Sequence, residues 1–309
     1  MNIKHMEYFI TLSEEKSFSK ASEKLGISQP TLSQSIQKLE STLGAPLFDR
    51  SLQKLELTSI GTIFLESCLK ISDIYSQTTN RINEINNGIN GTVKIGLGPS
   101  RAPYIIPMIA EKMRNEFPDV KLQIDELISV DILEKLSNGE IDIAITTKNG
   151  KGNSDLNAVP ITKEYLMIAL TRENAEKNGK LPIPESPDDT PEADISAFAD
   201  ENFILLGEEQ TYTKQLKTFA KEKNITLHSS VSCKNFETSM SLANAGIGTA
   251  VLLSTSYMHY REKYKNLCFY KLALSSAQKK VYVVYRNNSY LTAPAKAIIK
   301  ILSKGETKK

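Results

Sequence analysis

Residues 18–50 read FSKASEKLGISQPTLSQSIQKLESTLGAPLFDR, and the spacing within this stretch decides the architecture of the N-terminal part. Phe18, Ala21 and Leu25 recur at helical spacing before Gly26 interrupts the pattern. Ser28 carries a hydroxyl suited to capping a new helix, and Pro30 falls in its first turn, where a missing N–H is harmless. That helix continues through Leu32, Ile36, Leu39 and Leu43 and stops at Gly44. A helix, a short glycine-containing turn and a second helix form a helix-turn-helix pattern. Upstream, Ile3, Met6, Phe9 and Ile10 supply an earlier helix, so three helices fill the first fifty residues.

The outward face of the third helix carries the chemistry. On a helical wheel Leu32, Ile36, Leu39 and Leu43 fall within about 60° of arc and form a core stripe. The opposite face holds Pro30, Gln34, Gln37 and Ser41, flanked by Gln29, Thr31, Ser33 and Lys38. A merely solvated face favours Glu and Lys, whereas this one is rich in amides and hydroxyls. Gln makes two hydrogen bonds to the major-groove edge of adenine, and Ser or Thr bonds bases or phosphates, so the inventory suits reading of the DNA major groove. Ser28, at the start of the helix, joins this candidate set. Lys20 is placed to hold the DNA backbone from the preceding helix.

Downstream, LFDRSLQKLELT (residues 47–58) has two short apolar runs around a polar middle, which predicts a small β-hairpin or wing. Arg50 and Lys54 bracket it, within reach of phosphates or the minor groove. Thr58 then caps a long helix over about residues 59–87, about 45 Å at the usual rise. Its apolar positions Ile60, Phe64, Ile71, Ile74, Ile82 and Ile85 fall mostly on a 3.5-residue period. Such a seam predicts a partner helix and hence a homodimer or homotetramer; packing on its own chain is the alternative.

After Asn90-Gly91 the period changes. TVKIGL, VKLQIDE and IDIAIT read as strands separated by helices at 102–117 and 131–138. LMIAL, FILL, LHSSVS and GTAVLL continue with helices at 214–223 and 237–245, and LCFYKL, KKVYVVYR and a helix at 291–302 close the chain. Alternation of this kind indicates parallel α/β architecture. Residues 178–194, with four prolines among several acids, read as an exposed loop.

Composition excludes several classes. The 309 residues exceed one ordinary core, and 40% hydrophobic with 24% charged residues describes a soluble globular protein. No run approaches the ~20 apolar residues of a membrane span, and Glu7, Glu14 and Glu15 interrupt any signal-peptide pattern, which predicts a cytoplasmic protein. Formal net charge is only +2, and residues 1–58 hold seven basic and seven acidic side chains. A DNA-binding reading therefore rests on placed residues and not on bulk charge. Cys68, Cys233 and Cys268 are scattered without CxxC pairing, which supports neither a metal cluster nor a disulfide framework. They read as small buried residues in a reducing compartment, with redox sensing the alternative, and no cofactor is expected.

With these residues in view, the run FSKASEKLGISQPTLSQSIQKLESTLGAPLFDR…LELTSIG resembles the LysR-type transcriptional regulators. The resemblance lies in the hydrophobic phasing, the SQP opening the recognition helix, the LG-x-x-LF-x-R junction and the LT-x-x-G entering the linker helix, and the domain order extends it over essentially the whole chain. It implies an all-α winged helix-turn-helix (1–58), a linker dimerisation helix (59–88) and an effector domain (89–309). That domain would be α/β and similar to periplasmic binding proteins, with subdomain I at about 91–162 and 267–304 and subdomain II at about 163–266. By the same resemblance Gln29 and Pro30 meet base edges, Thr31, Ser33 and Gln34 meet bases or phosphates, and Arg50 holds the backbone. The chain departs at Gln34 and Gln53, neutral where many members carry Arg. Operator DNA, a small-molecule effector and a second copy are the implied partners, with RNA polymerase a further candidate and no membrane.

Ligands of open α/β sheets settle beyond the carboxyl ends of strands, beside helix N-termini. Pro99, Ser100 and Arg101 follow one strand, Ser129 precedes a helix, and Thr146 with Thr147 ends another strand. Gln210, Thr211, Tyr212 and Phe236 open helices of the second set. These form the candidate effector site; each hydroxyl has helix capping as its simpler role. Arg101 beside Ser100 suggests a carboxylate or other small anion as effector, unless it points to solvent. Neither G-x-G at Gly96 and Gly98 nor that at Gly246 and Gly248 completes a dinucleotide fingerprint, and His5, His228 and His259 lack a catalytic constellation. A transport component or an enzyme with a regulatory N-terminus are the rival classes. The DNA-reading half opposes the first, and the lack of a nucleophile or cofactor loop opposes the second.

Overall fold

The computed structural model describes residues 2–49, 55–87, 89–127, 129–148, 150, 154–186, 189–207, 211–273, 278–287 and 289–303. Three helices open the chain: α1 (Ile3–Glu15), α2 (Phe18–Leu25) and α3 (Gln29–Leu43). Each begins where a side-chain oxygen accepts an orphan amide: Asn2 from His5, Ser17 from Lys20 and Ser28 from Thr31. All three end in a left-handed residue, Lys16, Gly26 and Gly44.

Their shared core contains Met6, Phe9, Leu12, Ala21, Leu32, Ile36 and Leu39. Phe9 is fully buried, with Phe48 at 5.3 Å and Phe64 at 5.0 Å between ring centroids. Leu43 departs from the expected stripe and stays 40% exposed, because it is the last residue of α3, where the helix runs past the core.

Two short strands, β1 (Phe48–Asp49) and β2 (Glu56–Leu57), pair antiparallel as the base of the wing. The Glu40 carboxylate on α3 accepts the amides of Leu47 and Phe48 at 2.9 and 3.3 Å and ties the wing to the helix. Thr58 caps α4 (Ser59–Asn87) by accepting the Gly61 amide at 2.9 Å. A Cβ at Gly61 would fall on the Leu47 carbonyl, so glycine lets the linker helix leave the domain tightly. Phe64, Leu65 and Cys68 pack on the N-terminal core. Beyond it Ile71, Ile74 and Ile82 are 40%, 64% and 50% exposed.

Two mixed sheets follow. In the first, β3 (Gly91–Leu97), β4 (Val120–Glu126) and β5 (Ile143–Thr146) are parallel, and β13 (Lys279–Arg286) runs antiparallel to β5 and to β6 (Leu156–Glu164). The order is β4-β3-β5-β13-β6. Helices α5 (Ala102–Glu116) and α11 (Ala293–Ser303) contribute to the core on one face, and α6 (Ser129–Ser137) to a second cluster with Ile141, Ala144 and Val284. Edge strand β6 was not anticipated. Pro160 breaks its pattern, and it is tolerated here at a sheet edge where the register with β13 shifts.

The second sheet has the order β10-β9-β11-β7-β12-β8. It contains β7 (Leu166–Thr171), β8 (Glu192–Ala193), β9 (Asn202–Leu206), β10 (His228–Cys233), β11 (Thr249–Leu253) and β12 (Leu267–Leu272). Helices α7 (Arg172–Asn178), α8 (Thr211–Glu222), α9 (Phe236–Asn244) and α10 (Tyr257–Lys263) accompany it, with a 3-10 turn at Ile195–Phe198. The chain leaves the first sheet after Glu164 and returns at Lys279. The expected return at residue 267 is therefore corrected: β12 pairs antiparallel with β7 and belongs to the second subdomain.

Candidate DNA interface and effector cleft

The α3 face opposite the core presents Gln29, Pro30, Thr31, Gln34, Gln37 and Lys38 to solvent, with Ser33 half-buried at its margin. Ser28 is exposed as well, but its hydroxyl lies 2.7 Å from that of Thr31 and accepts the Thr31 amide at 3.3 Å. That pair therefore organises the start of the helix. No acidic residue occupies the first turn of α3, so the partial positive charge of its N-terminus is left available to a phosphate. Lys20 is exposed on the first turn of α2. Arg50 and Lys54 lie outside the described residues.

Between the two subdomains is a cavity of about 220 Å³. The first subdomain supplies Pro99, Ser100, Pro103, Tyr104 and Glu126. The second supplies Tyr212, Lys234, Asn235, Phe236, Glu237, His259 and Tyr260. First-turn residues of α5, α8 and α9 thus meet on one space. The walls are aromatic: Tyr212 and Phe236 lie 4.7 Å apart between centroids, and Tyr104 is edge-on to His259 at 5.5 Å. Tyr104 rises from the first subdomain but packs against the core of the second, and burial pushes its hydroxyl pKa up.

The charges around the cavity are mixed. Glu237 is paired with Lys263, whose hydrogen bond holds the carboxyl below the ordinary range. Asn235 spends its side-chain oxygen on the Thr238 amide at 2.8 Å, capping α9. Lys234 makes no ion pair among the described residues and contributes an exposed cation.

Of the residues expected at this site, Pro99, Ser100, Tyr212 and Phe236 line the cavity. Thr146 does not: it is 1% exposed, pairs in register with Tyr282 and accepts the Lys148 amide at 3.3 Å. Thr147, next to it, is half-buried and likewise absent from the lining. Ser129 and Thr211 begin α6 and α8, but their side chains, like Gln210 as a whole, lie outside what is described.

Arg101 requires a correction. It faces neither the cavity nor solvent: only 8% exposed, it donates Nε to Glu164 Oε1 at 3.2 Å, and its Nη2 forms an ion pair with Glu164 Oε2. Thr255 Oγ1 donates to Glu164 Oε1 at 2.6 Å from the second subdomain. The guanidinium is therefore neutralised at the crossover, and an anion in the cleft cannot rely on it. Glu164 gave no signal in the sequence because it ends the unanticipated strand β6. Tyr104, Lys234, His259 and Tyr260 were also missed. Tyr104 lies four residues after Ser100 on the helix expected there, whereas His259 and Tyr260 sit on α10, which no clear periodicity announced.

Two family models match the chain. Residues 3–62 match the bacterial regulatory helix-turn-helix protein, lysR family, and residues 86–306 match the LysR substrate binding domain. The chain belongs to the LysR family. It is 27% identical over 312 residues to the uncharacterized HTH-type transcriptional regulator YcgK of Bacillus subtilis (strain 168), covering 97% of this chain and 94% of that one. A hydrogen peroxide-inducible genes activator of Pectobacterium carotovorum subsp. carotovorum is 24% identical over 291 residues, 94% of this chain and 92% of the relative. Among solved structures, full-length CbnR in complex with its target DNA superposes with a TM-score of 0.65 at 17% identity, covering 98% of this chain and 99% of CbnR.

Membership makes this LysR-family protein a DNA-binding transcriptional regulator, with a helix-turn-helix unit ahead of a substrate-binding type domain. Both of these relatives are named as regulators of genes and not as enzymes. Among the described residues no helix is long and apolar enough to cross a membrane.

Proposed function

We propose that this LysR-family regulator reads a specific operator through α3 and is modulated by a small molecule held between its two subdomains. The effector would carry an acidic group and a compact apolar body. One observation carries the reading: the first turns of α5, α8 and α9 meet at a single aromatic-walled cavity. Three helix N-termini favour negative charge without Arg101, and Lys234 adds a cation at the rim. Tyr104, Tyr212, Phe236 and His259 would cover the apolar part. The volume falls below the ~300–1,000 Å³ of sites for drug-sized ligands, which favours a small metabolite.

On the DNA side, Gln29, Pro30, Thr31, Ser33, Gln34 and Gln37 are assigned to base edges and nearby phosphates. Lys20, Ser28, Lys38, Arg50 and Lys54 are assigned to the backbone. The complex of CbnR with its target DNA supports this use of the fold. The exposed Ile71, Ile74 and Ile82 seam of α4 is assigned to pairing with a second copy.

Isothermal calorimetry of the full-length protein against a panel of small organic acids and their amides tests the effector class. A carboxylate is expected to bind at least tenfold more tightly than its amide, with Lys234→Ala and Phe236→Ala each weakening it. Preference for a neutral compound, or an acid indifferent to both substitutions, would overturn the assignment.

A further inference from the structure

Strand β13 is eight residues long and holds a different body at each end. At its start, Lys279 is the register partner of Glu164, which binds Arg101 within the first subdomain and Thr255 across the subdomain boundary. At its end, Arg286 reaches the linker helix: Nη2 donates to Asp73 Oδ1 at 3.0 Å, and Nη1 donates to the Leu136 carbonyl at 2.9 Å. At ~3.3 Å per residue these ends are roughly 23 Å apart. Val281, Val283 and Val284 between them are fully buried, in cores on opposite faces of the sheet. A strand packed on both faces moves as a unit and does not bend on its own.

The contact with the linker is built and not incidental. The Asp73 and Arg286 side chains are only 13% and 11% exposed. Gln77, one turn on, donates to Asp73 Oδ2 at 2.6 Å and accepts the Tyr290 amide at 2.9 Å. Arg81, a further turn along, lies over the Tyr290 ring at 5.3 Å. Gly139 has φ +79°, and a Cβ there would fall on the Asp73 carboxyl, so α4 sits in a notch that only glycine leaves open.

We propose that β13 is a rigid strut joining the Arg101–Glu164 hinge pair to the linker helix, and that Asp73–Arg286 is the latch through which cleft closure sets the seating of α4. The part assigned to closure rests on the cleft being the effector site; the latch and the strut do not. Packed on both faces, the strut passes a displacement at one end to the other, and such coupling is reciprocal. α4 continues directly from the DNA-binding unit, so its seating fixes where α3 is presented.

Hydrogen exchange on the full-length, ligand-free protein tests this. Asp73→Asn keeps the side-chain shape but removes the latch charge and one of the two oxygens that accept from Arg286 and Gln77, and is expected to speed exchange at least tenfold in peptides from 69–80 and 132–140. Glu164→Gln, at the opposite end of β13, is expected to speed exchange in those same peptides. Lys163→Gln, an exposed neighbour, is expected to leave them unchanged. If Glu164→Gln fails to fold, Thr255→Val, which removes one hydrogen bond to the same carboxylate, is read in its place. Effects of the hinge variant confined to residues 99–104, 162–166 and 253–257 would overturn the strut, and unchanged exchange of 69–80 in Asp73→Asn would overturn the latch. No ligand enters the experiment, so either failure leaves the effector assignment standing, and calorimetric failure of that assignment leaves the strut testable.

Discussion

Removing Glu164 is expected to cost far more than removing the arginine it binds. Both side chains are nearly excluded from water, and breaking a buried ion pair by deleting one partner typically costs ~3–5 kcal/mol, because the other charge stays buried alone. The two deletions are not equivalent here. Without Arg101, Glu164 still accepts from Thr255 at 2.6 Å and still faces the cation of Lys279 across the strand pair. Without Glu164, two cations confront each other with no anion between them. Lys279 already has its pKa held below the ordinary lysine value, by burial first and by Arg101 second. We therefore expect Glu164→Leu to cost about 3–5 kcal/mol and Arg101→Met about 1–3 kcal/mol. The pair Arg101→Met with Glu164→Leu should cost less than Glu164→Leu alone, because the guanidinium that Glu164→Leu leaves buried and unpaired is removed as well. In a domain of 150–250 residues, 1 kcal/mol shifts the melting temperature by ~2–4 °C, so the single leucine variant should melt roughly 6–20 °C lower. The chain contains no tryptophan, so the transition is followed by far-UV circular dichroism and assigned to the effector domain by hydrogen exchange. Equal costs for the two single variants, or strict additivity in the double one, would refute this account of the hinge.

Gln34→Ala and Pro30→Ala should each lower operator affinity by ~1–3 kcal/mol while sparing non-specific DNA binding, as measured by fluorescence anisotropy at fixed salt. Replacing Ile71 and Ile74 together with Lys should convert the oligomer seen by sedimentation to monomer, and a native sedimentation coefficient would place dimerisation elsewhere. Gly61→Ala should destabilise the N-terminal unit by ~1–3 kcal/mol in urea, because its methyl group must displace the Leu47 carbonyl. Peroxide should leave the three cysteine thiols, followed by peptide mass, and DNA affinity unchanged, although relatives are named as hydrogen peroxide-inducible genes activators. Thiol oxidation needs the thiolate, and burial pushes Cys68 to about 11 and raises Cys233 and Cys268, none of which lines the cleft. Stoichiometric oxidation with altered DNA affinity would contradict this.

What the sequence made legible follows the range of the forces involved. The helix-turn-helix could be read because its signals are local: Gly26 ends one helix, Ser28 caps the next and Gly44 ends it, and the core residues Phe9, Ala21, Leu32, Ile36 and Leu39 repeat at helical spacing. Most sheet strands were legible as short apolar runs for the same reason. Strand β6 was not, since Pro160 suits it only at a sheet edge, and edge position is a property of the assembled sheet. The same non-local information decided Arg101. In sequence it stands beside Ser100 at the start of a helix, which is where an anion site would put it. Its actual partner is 63 residues away and meets it only because β6 and β13 form the crossover. Arg286 and Asp73 are 213 residues apart, and nothing near either signals the other. A charged residue's neighbours in sequence thus predict its function poorly when the fold can bury it against a distant opposite charge. For that reason the effector class now rests on helix N-termini, Lys234 and aromatic walls, which depend on where strands end and helices begin. Those boundaries are local, and four of the expected residues, Pro99, Ser100, Tyr212 and Phe236, do meet at the cavity.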